Sequence, residues 1–78
     1  MSNELTEQML ADYKLHIKPE RWEDTKRLLL WNVEEYGEIV SREKWLYPLD
    51  NSMYDYIYTY ANGLIWKLDA VRMGLVGN

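Results

Sequence analysis

DNSMYDYIYTYANGLIWKLDAVRMG, residues 50–74, shows the clearest periodicity in the chain. At about 100° per residue, Tyr54, Ile57, Tyr58, Ala61, Leu64, Ile65, Leu68, Val71 and Arg72 fall within one narrow arc. All but Arg72 are core-type side chains. The pattern predicts a long helix capped by Asp50, Asn51 or Ser52, running to about Met73 with Gly74 after it. Opposite the arc lie Tyr56, Thr59, Tyr60, Gly63, Trp66, Lys67 and Ala70. Large rings around a small residue are how a partner helix or groove is often received, so Tyr56, Thr59, Tyr60, Gly63, Trp66 and Lys67 are candidate protein-binding residues. The alternative is that the first helix, or the chain's own tail, packs on that face.

Working back from this segment, the same reasoning predicts further helices. Ser2 or Asn3 caps a helix to about His16, with Leu5, Met9, Leu10, Tyr13 and Ile17 in one stripe and Glu4, Glu7 and Asp12 outside it. Lys18-Pro19 breaks that helix, and Pro19 opens a second one that reaches Tyr36 and stops at Gly37. Trp22, Leu29, Leu30, Val33 and Tyr36 form one face of it, while Leu28 and Trp31 spill onto another, which fits a central helix packed on two sides. Ser41 caps a short helix from Arg42 to about Tyr47, ended by Pro48. The only strand candidates are Glu38-Ile39-Val40 and the tail Leu75-Val76. The expected fold is mainly α: one small three- to four-helix bundle over residues 1–78, with a helix-turn-helix-like core and little or no strand.

Composition narrows the function classes. With 78 residues there is room for one small domain, and 47% hydrophobic with 28% charged residues is a globular balance. A net charge of −4 argues against a general nucleic-acid coat or a polybasic membrane binder. The absence of cysteine removes disulfides, thiolate metal sites and a cysteine nucleophile. No secretion signal or membrane-length apolar run is present, so the expectation is a soluble cytoplasmic protein. The apolar load is unusual in kind, with seven Tyr and four Trp but no Phe. Such rings are enriched at protein interfaces, and they point to a sticky surface or to self-association.

Residues 28–47, LLLWNVEEYGEIVSREKWLY, run from an apolar helix through a glycine turn to a Val-Ser-Arg-Glu cap with an apolar residue two positions on. This resembles the helix-turn-helix of response-regulator transcription factors, the winged-helix effector domains of the OmpR type. Gly37, Val40, Ser41, Arg42, Glu43 and Trp45 stand at the family's turn positions, and Leu64, Lys67 and Leu68 stand where its recognition helix ends. The resemblance spans about residues 20–72. It implies a helix-turn-helix core and a DNA-binding regulator, in which Arg42, Lys44, Lys67 and Arg72 would meet phosphates, as a dimer. Three features depart from the family. Gly63 and Ile65 replace its DNA-contacting arginines, a helix replaces its leading sheet, and the sequence given stops at Asn78, short of the wing.

No catalytic motif emerges. His16 is the only histidine and has no second ligand type beside it, and Glu34, Glu35 and Glu38 form an acidic cluster with no pocket signature. Phosphate loops, nucleophile elbows and calcium loops are missing from the sequence, so the expectation is a non-enzyme with no metal and no cofactor. Residues 1–39 hold nine acidic and five basic groups, a balance of −4, while residues 40–78 hold four of each. Three readings stay open. The first is a regulatory or adaptor protein, of a size that suits a phage- or mobile-element-encoded inhibitor, which binds a protein partner or a second copy through the aromatic face of its last helix. The second is the DNA-binding regulator. The third is an acidic nucleic-acid mimic acting through Glu4, Glu7, Asp12, Glu23, Glu34, Glu35 and Glu38.

Overall fold

Asn3 supplies the first cap. Its side chain accepts the Thr6 N–H at 2.8 Å, and Glu4 and Glu7 place negative charge in the first turn of helix α1, Glu4–His16. Pro19 starts α2, Pro19–Tyr36, which ends where Gly37 turns to a φ of 95° and donates its N–H to Val33 O at 2.8 Å. A side chain is barred at Gly37 twice over. The positive φ strains any L residue, and a Cβ there would stand 2.5 Å from the Ala61 Cβ. The bounds of these two helices agree with the sequence expectation, but α2 is not a central helix packed on two sides: Leu28, Leu30 and Trp31 are exposed. The computed structural model describes residues 3–50 and 52–72, with the backbone alone at 70–72.

The second half of the chain departs from it. Three antiparallel strands, β1 (Ile39–Leu46), β2 (Met53–Tyr60) and β3 (Ile65–Arg72), form one sheet in the order β1-β2-β3. The protein is therefore two helices followed by a β-meander, not a helical bundle, and the helix-turn-helix core implied by the family resemblance is absent. Ser41 caps no helix; it lies in β1 opposite Thr59. The expected long helix over residues 50–73 is instead two strands joined by a turn, and the strand candidate 38–40 overlaps only the start of β1. Ser2, Asn51, Met73, Gly74, Leu75 and Val76, which entered those expectations as caps, helix end or strand, lie outside the described residues.

The physical reason is in the residues. Tyr54, Tyr56, Tyr58 and Tyr60 recur every second position, which sends all four rings to one face of a strand. Tyr, Ile, Thr and Trp fit a pleated surface well, whereas their rotamers are restricted on a helix. Asn62-Gly63 then makes the turn. Gly63 takes a φ of 95° and donates to Tyr60 O at 2.8 Å, Tyr60 N–H bonds Leu64 O at 2.9 Å, and the Asn62 side chain accepts the Leu64 N–H at 2.9 Å. This is a short hairpin loop closed by a glycine in the left-handed region. Asn62 also donates its own N–H to Tyr36 O at 2.9 Å, which pins the hairpin to the end of α2.

Both helices pack on the tyrosine side of the sheet. Met9, Tyr13, Leu29, Ile39, Tyr58 and Tyr60 are the buried core, with Leu5, Leu10, Ile17, Trp22, Val33, Tyr36, Tyr56, Trp66 and Leu68 around them. The other side of the sheet is left without a covering layer among the described residues.

Candidate functional site

Because side chains alternate across a strand, the register sorts the sheet into two surfaces. Arg42 pairs Tyr58, Lys44 pairs Tyr56 and Leu46 pairs Tyr54 on β1, while Trp66 pairs Tyr58 and Leu68 pairs Tyr56 on β3. These make up the covered face. Ser41, Glu43 and Trp45 oppose Thr59, Ile57 and Asp55, and Ile65 and Lys67 oppose Thr59 and Ile57. These make up the open face.

The covered face is built around Asp12. Its carboxylate accepts a two-pronged bond from Arg42, Nε to Oδ2 at 2.8 Å and Nη2 to Oδ1 at 3.0 Å. Tyr58 adds a third, donating its hydroxyl to Oδ2 at 2.6 Å. The sequence reading set Asp12 outside the apolar stripe, yet it is buried, because the ion pair and the hydroxyl bond satisfy its charge inside the fold. The Arg42 guanidinium also lies 4.5 Å from the centre of the Tyr56 ring, and Lys44 Nζ lies 4.4 Å from that of Tyr54. Burial, then the bond to the Asp12 carboxylate, push the Tyr58 phenol well above the usual tyrosine range. Burial also raises Tyr13, whose hydroxyl donates to Lys67 O at 3.0 Å. The hydrogen bond to Asp12 holds Arg42 still more firmly in its charged form.

A second network ties the helical and sheet halves together. The Glu38 carboxylate accepts the Asn3 N–H at 2.9 Å and the Thr6 hydroxyl at 2.8 Å, and Thr6 Oγ1 accepts the Ile39 N–H at 3.0 Å. These bonds, that from the Asn3 backbone first, draw the Glu38 carboxyl below the usual range. Asn32, also buried, donates to Tyr60 O–H at 3.2 Å.

The candidate residues from the sequence are thus dispersed. Tyr56, Tyr60 and Trp66 face the helices, Thr59 and Lys67 face outward, and Gly63 lies in the hairpin turn. Of the cations considered for phosphates, Arg42 and Lys44 are engaged on the covered face and Lys67 is exposed on the open one. Arg72 ends β3 opposite Met53. Of the acidic set, Asp12 and Glu38 are held in the internal networks, whereas Glu4, Glu7, Glu23, Glu34 and Glu35 are exposed.

What the helical reading missed is the open face itself. Trp45 is 52% exposed and Ile65 53%, with Ile57 half-buried between them and Val40 exposed at the bulge that begins β1. At one end Trp45 and Tyr47 meet edge to face over Asp55, whose carboxylate accepts the Tyr47 hydroxyl at 3.0 Å. That bond raises the Tyr47 phenol. Counting by twos outward from Asn62-Gly63 would have placed Ile57, Thr59, Ile65 and Lys67 together. A smaller exposed patch, Leu28 and Trp31, lies on α2.

Among the described residues no group of three or more His, Asp or Glu side chains could hold a metal ion. Among them, too, no helix is long and apolar enough to cross a membrane. No family model matches this chain, and neither a curated protein nor a solved structure shows significant similarity to it.

Proposed function

We propose that this chain is a small, non-catalytic protein-binding module that docks through the open face of its sheet, with Trp45 as the anchor. The observation that carries the reading is the exposure of Trp45 and Ile65 across a sheet face that no described element covers. A half-exposed tryptophan edge to face with Tyr47 and diagonal to Ile57, with Glu43 and Asp55 as its nearest charges, has the anatomy of an interface centre. Charge offers less support for a phosphate-binding or acidic-mimic role, since two of the four cations and two of the seven carboxylates considered for those roles are spent on internal contacts.

A photo-activatable phenylalanine analogue placed at Trp45 or at Ile65 tests the docking surface in the producing cell. Discrete covalent adducts are expected from both positions and not from Glu7 on α1. Adducts from Trp31 on α2 alone, or none from positions 45 and 65, would overturn the assignment.

A further inference from the structure

The register places Glu43, Ile57 and Lys67 in one row across the open face, Glu43 opposite Ile57 on one side and Lys67 opposite it on the other. The two charges stand on the two outer strands, about 10 Å apart at the usual strand spacing, too far to pair with each other. Both are exposed, and neither belongs to an ion pair among the described residues. Opposite charges held at equal distances on either side of an aliphatic residue form a pattern that is complementary to its own copy.

We propose that the open face binds the open face of a second copy of this chain, about a two-fold axis that runs along β2 past Ile57. This rests on the docking reading above and names the occupant. Rotation about that axis lays β1 of one copy over β3 of the other, so each Glu43 meets the other copy's Lys67 and the two Ile57 side chains meet at the centre. The competing two-fold, perpendicular to the strands, would set Glu43 on Glu43 and Lys67 on Lys67, two exposed like-charge contacts. Of the charged residues, the chosen axis sets only Asp55 opposite its own copy, a side chain already buried and bonded to the Tyr47 hydroxyl. The chosen arrangement is isologous and closed, so it stops at two copies. Three strands of eight residues give a flat footprint of about 14 by 26 Å per copy. That lies at the small end of protein interfaces, so association is reversible and rises with concentration.

Light scattering and sedimentation of the purified full chain, from about 10 μM to about 1 mM, test this. The mass should climb from one chain towards two. Lys67→Glu or Glu43→Lys alone should weaken association at least about tenfold, and the double exchange Glu43→Lys with Lys67→Glu should restore it. Circular dichroism of each variant checks that the fold survives. Single reversals that associate like the wild type, or a double exchange that fails to recover, would overturn the arrangement. A wild type that stays monomeric while Trp45 adducts still form in the cell overturns the second copy as occupant and leaves the docking face standing. A dimer lost with Trp31→Ser yet indifferent to both charge reversals overturns both.

Discussion

The two faces of the sheet are made by the same three strands and both carry aromatic rings, yet they use them in opposite ways. On the covered side three buried tyrosine hydroxyls have fixed partners: Tyr58 on Asp12, Tyr13 on Lys67 O, and Tyr60 beside Asn32 and the Met9 sulfur. The cations of β1 lie on the rings of the same face. On the open face Trp45 and Ile65 remain half exposed, and Glu43 and Lys67 have no ion pair among the described residues. An abundance of Tyr and Trp is thus a poor guide to where an interface lies. In a chain with no Phe, tyrosine builds the core, and its hydroxyls must be satisfied inside.

The sharpest way to break this contrast is to remove the centre of the covered face. Asp12→Ala leaves the Arg42 guanidinium with a part-buried charge and the Tyr58 hydroxyl without its acceptor. Loss of one member of such a pair costs about 3–5 kcal/mol, a large share of the stability of a domain this small. Urea unfolding should show the midpoint fall accordingly, or the variant should fail to fold. A change below about 1 kcal/mol would mean that the network is incidental and that apolar contacts alone hold α1 to the sheet.

A milder test uses pH. Tyr13 and Tyr58 have raised pKa values in the fold because burial disfavours the phenolate, so the folded state keeps protons that the unfolded chain gives up above about pH 10. The stability they contribute is complete below that pH and is lost as pH rises. Each such tyrosine removes about 1.4 kcal/mol per pH unit once its unfolded counterpart has ionised. Phenolate absorbance should therefore rise in two stages, the second coinciding with loss of the circular dichroism signal. A single smooth titration with the fold intact would show the covered face to be open to water.

The contrast also explains which parts of the structure could be read from the sequence. The helices carry their own punctuation, with Asn3 at the first cap, Pro19 at the second start and Gly37 at the stop. Those residues act locally, and local chemistry is legible. Residues 53–72 carry large apolar side chains at so many positions that periods of 2 and 3.6 both find matches. Tyr54, Tyr58, Ala61, Ile65 and Leu68 satisfy the helix, while Tyr54, Tyr56, Tyr58 and Tyr60 satisfy the strand. Asn62-Gly63 was the arbiter, because it is a hairpin turn in a strand reading and a costly interruption in a helix. Read as a notch for a partner, Gly63 misplaced the whole face, and with it the candidate site. The Val-Ser-Arg-Glu segment misled for a related reason: a cap-like Ser41 only caps if a helix follows, and Lys44-Trp45-Leu46 pairs with β2 instead. Asp12 was illegible because the partners that let a carboxylate be buried stand 30 and 46 residues away.

The smallest effect expected on stability falls on the open face, and it separates the two faces most cleanly. Ile65→Thr keeps a β-branched side chain in β3 opposite Thr59 and removes apolar surface that water already reaches. Its unfolding free energy should stay within about 0.5 kcal/mol of the wild type, as for most exposed substitutions. Its effect belongs to association, where the lost apolar contact should weaken the concentration-dependent gain in mass by a few fold, less than reversal of Lys67. A loss of 2 kcal/mol or more, about that of burying a large aliphatic side chain, would mean that Ile65 is covered in solution by the monomer's own chain. The face would then be a second core surface. An unchanged fold with unchanged association would confine the contact to the Glu43–Ile57–Lys67 row and move its edge away from the hairpin. In the expected outcome, stability resides in the face that hides its tyrosines, and association in the face that shows its tryptophan.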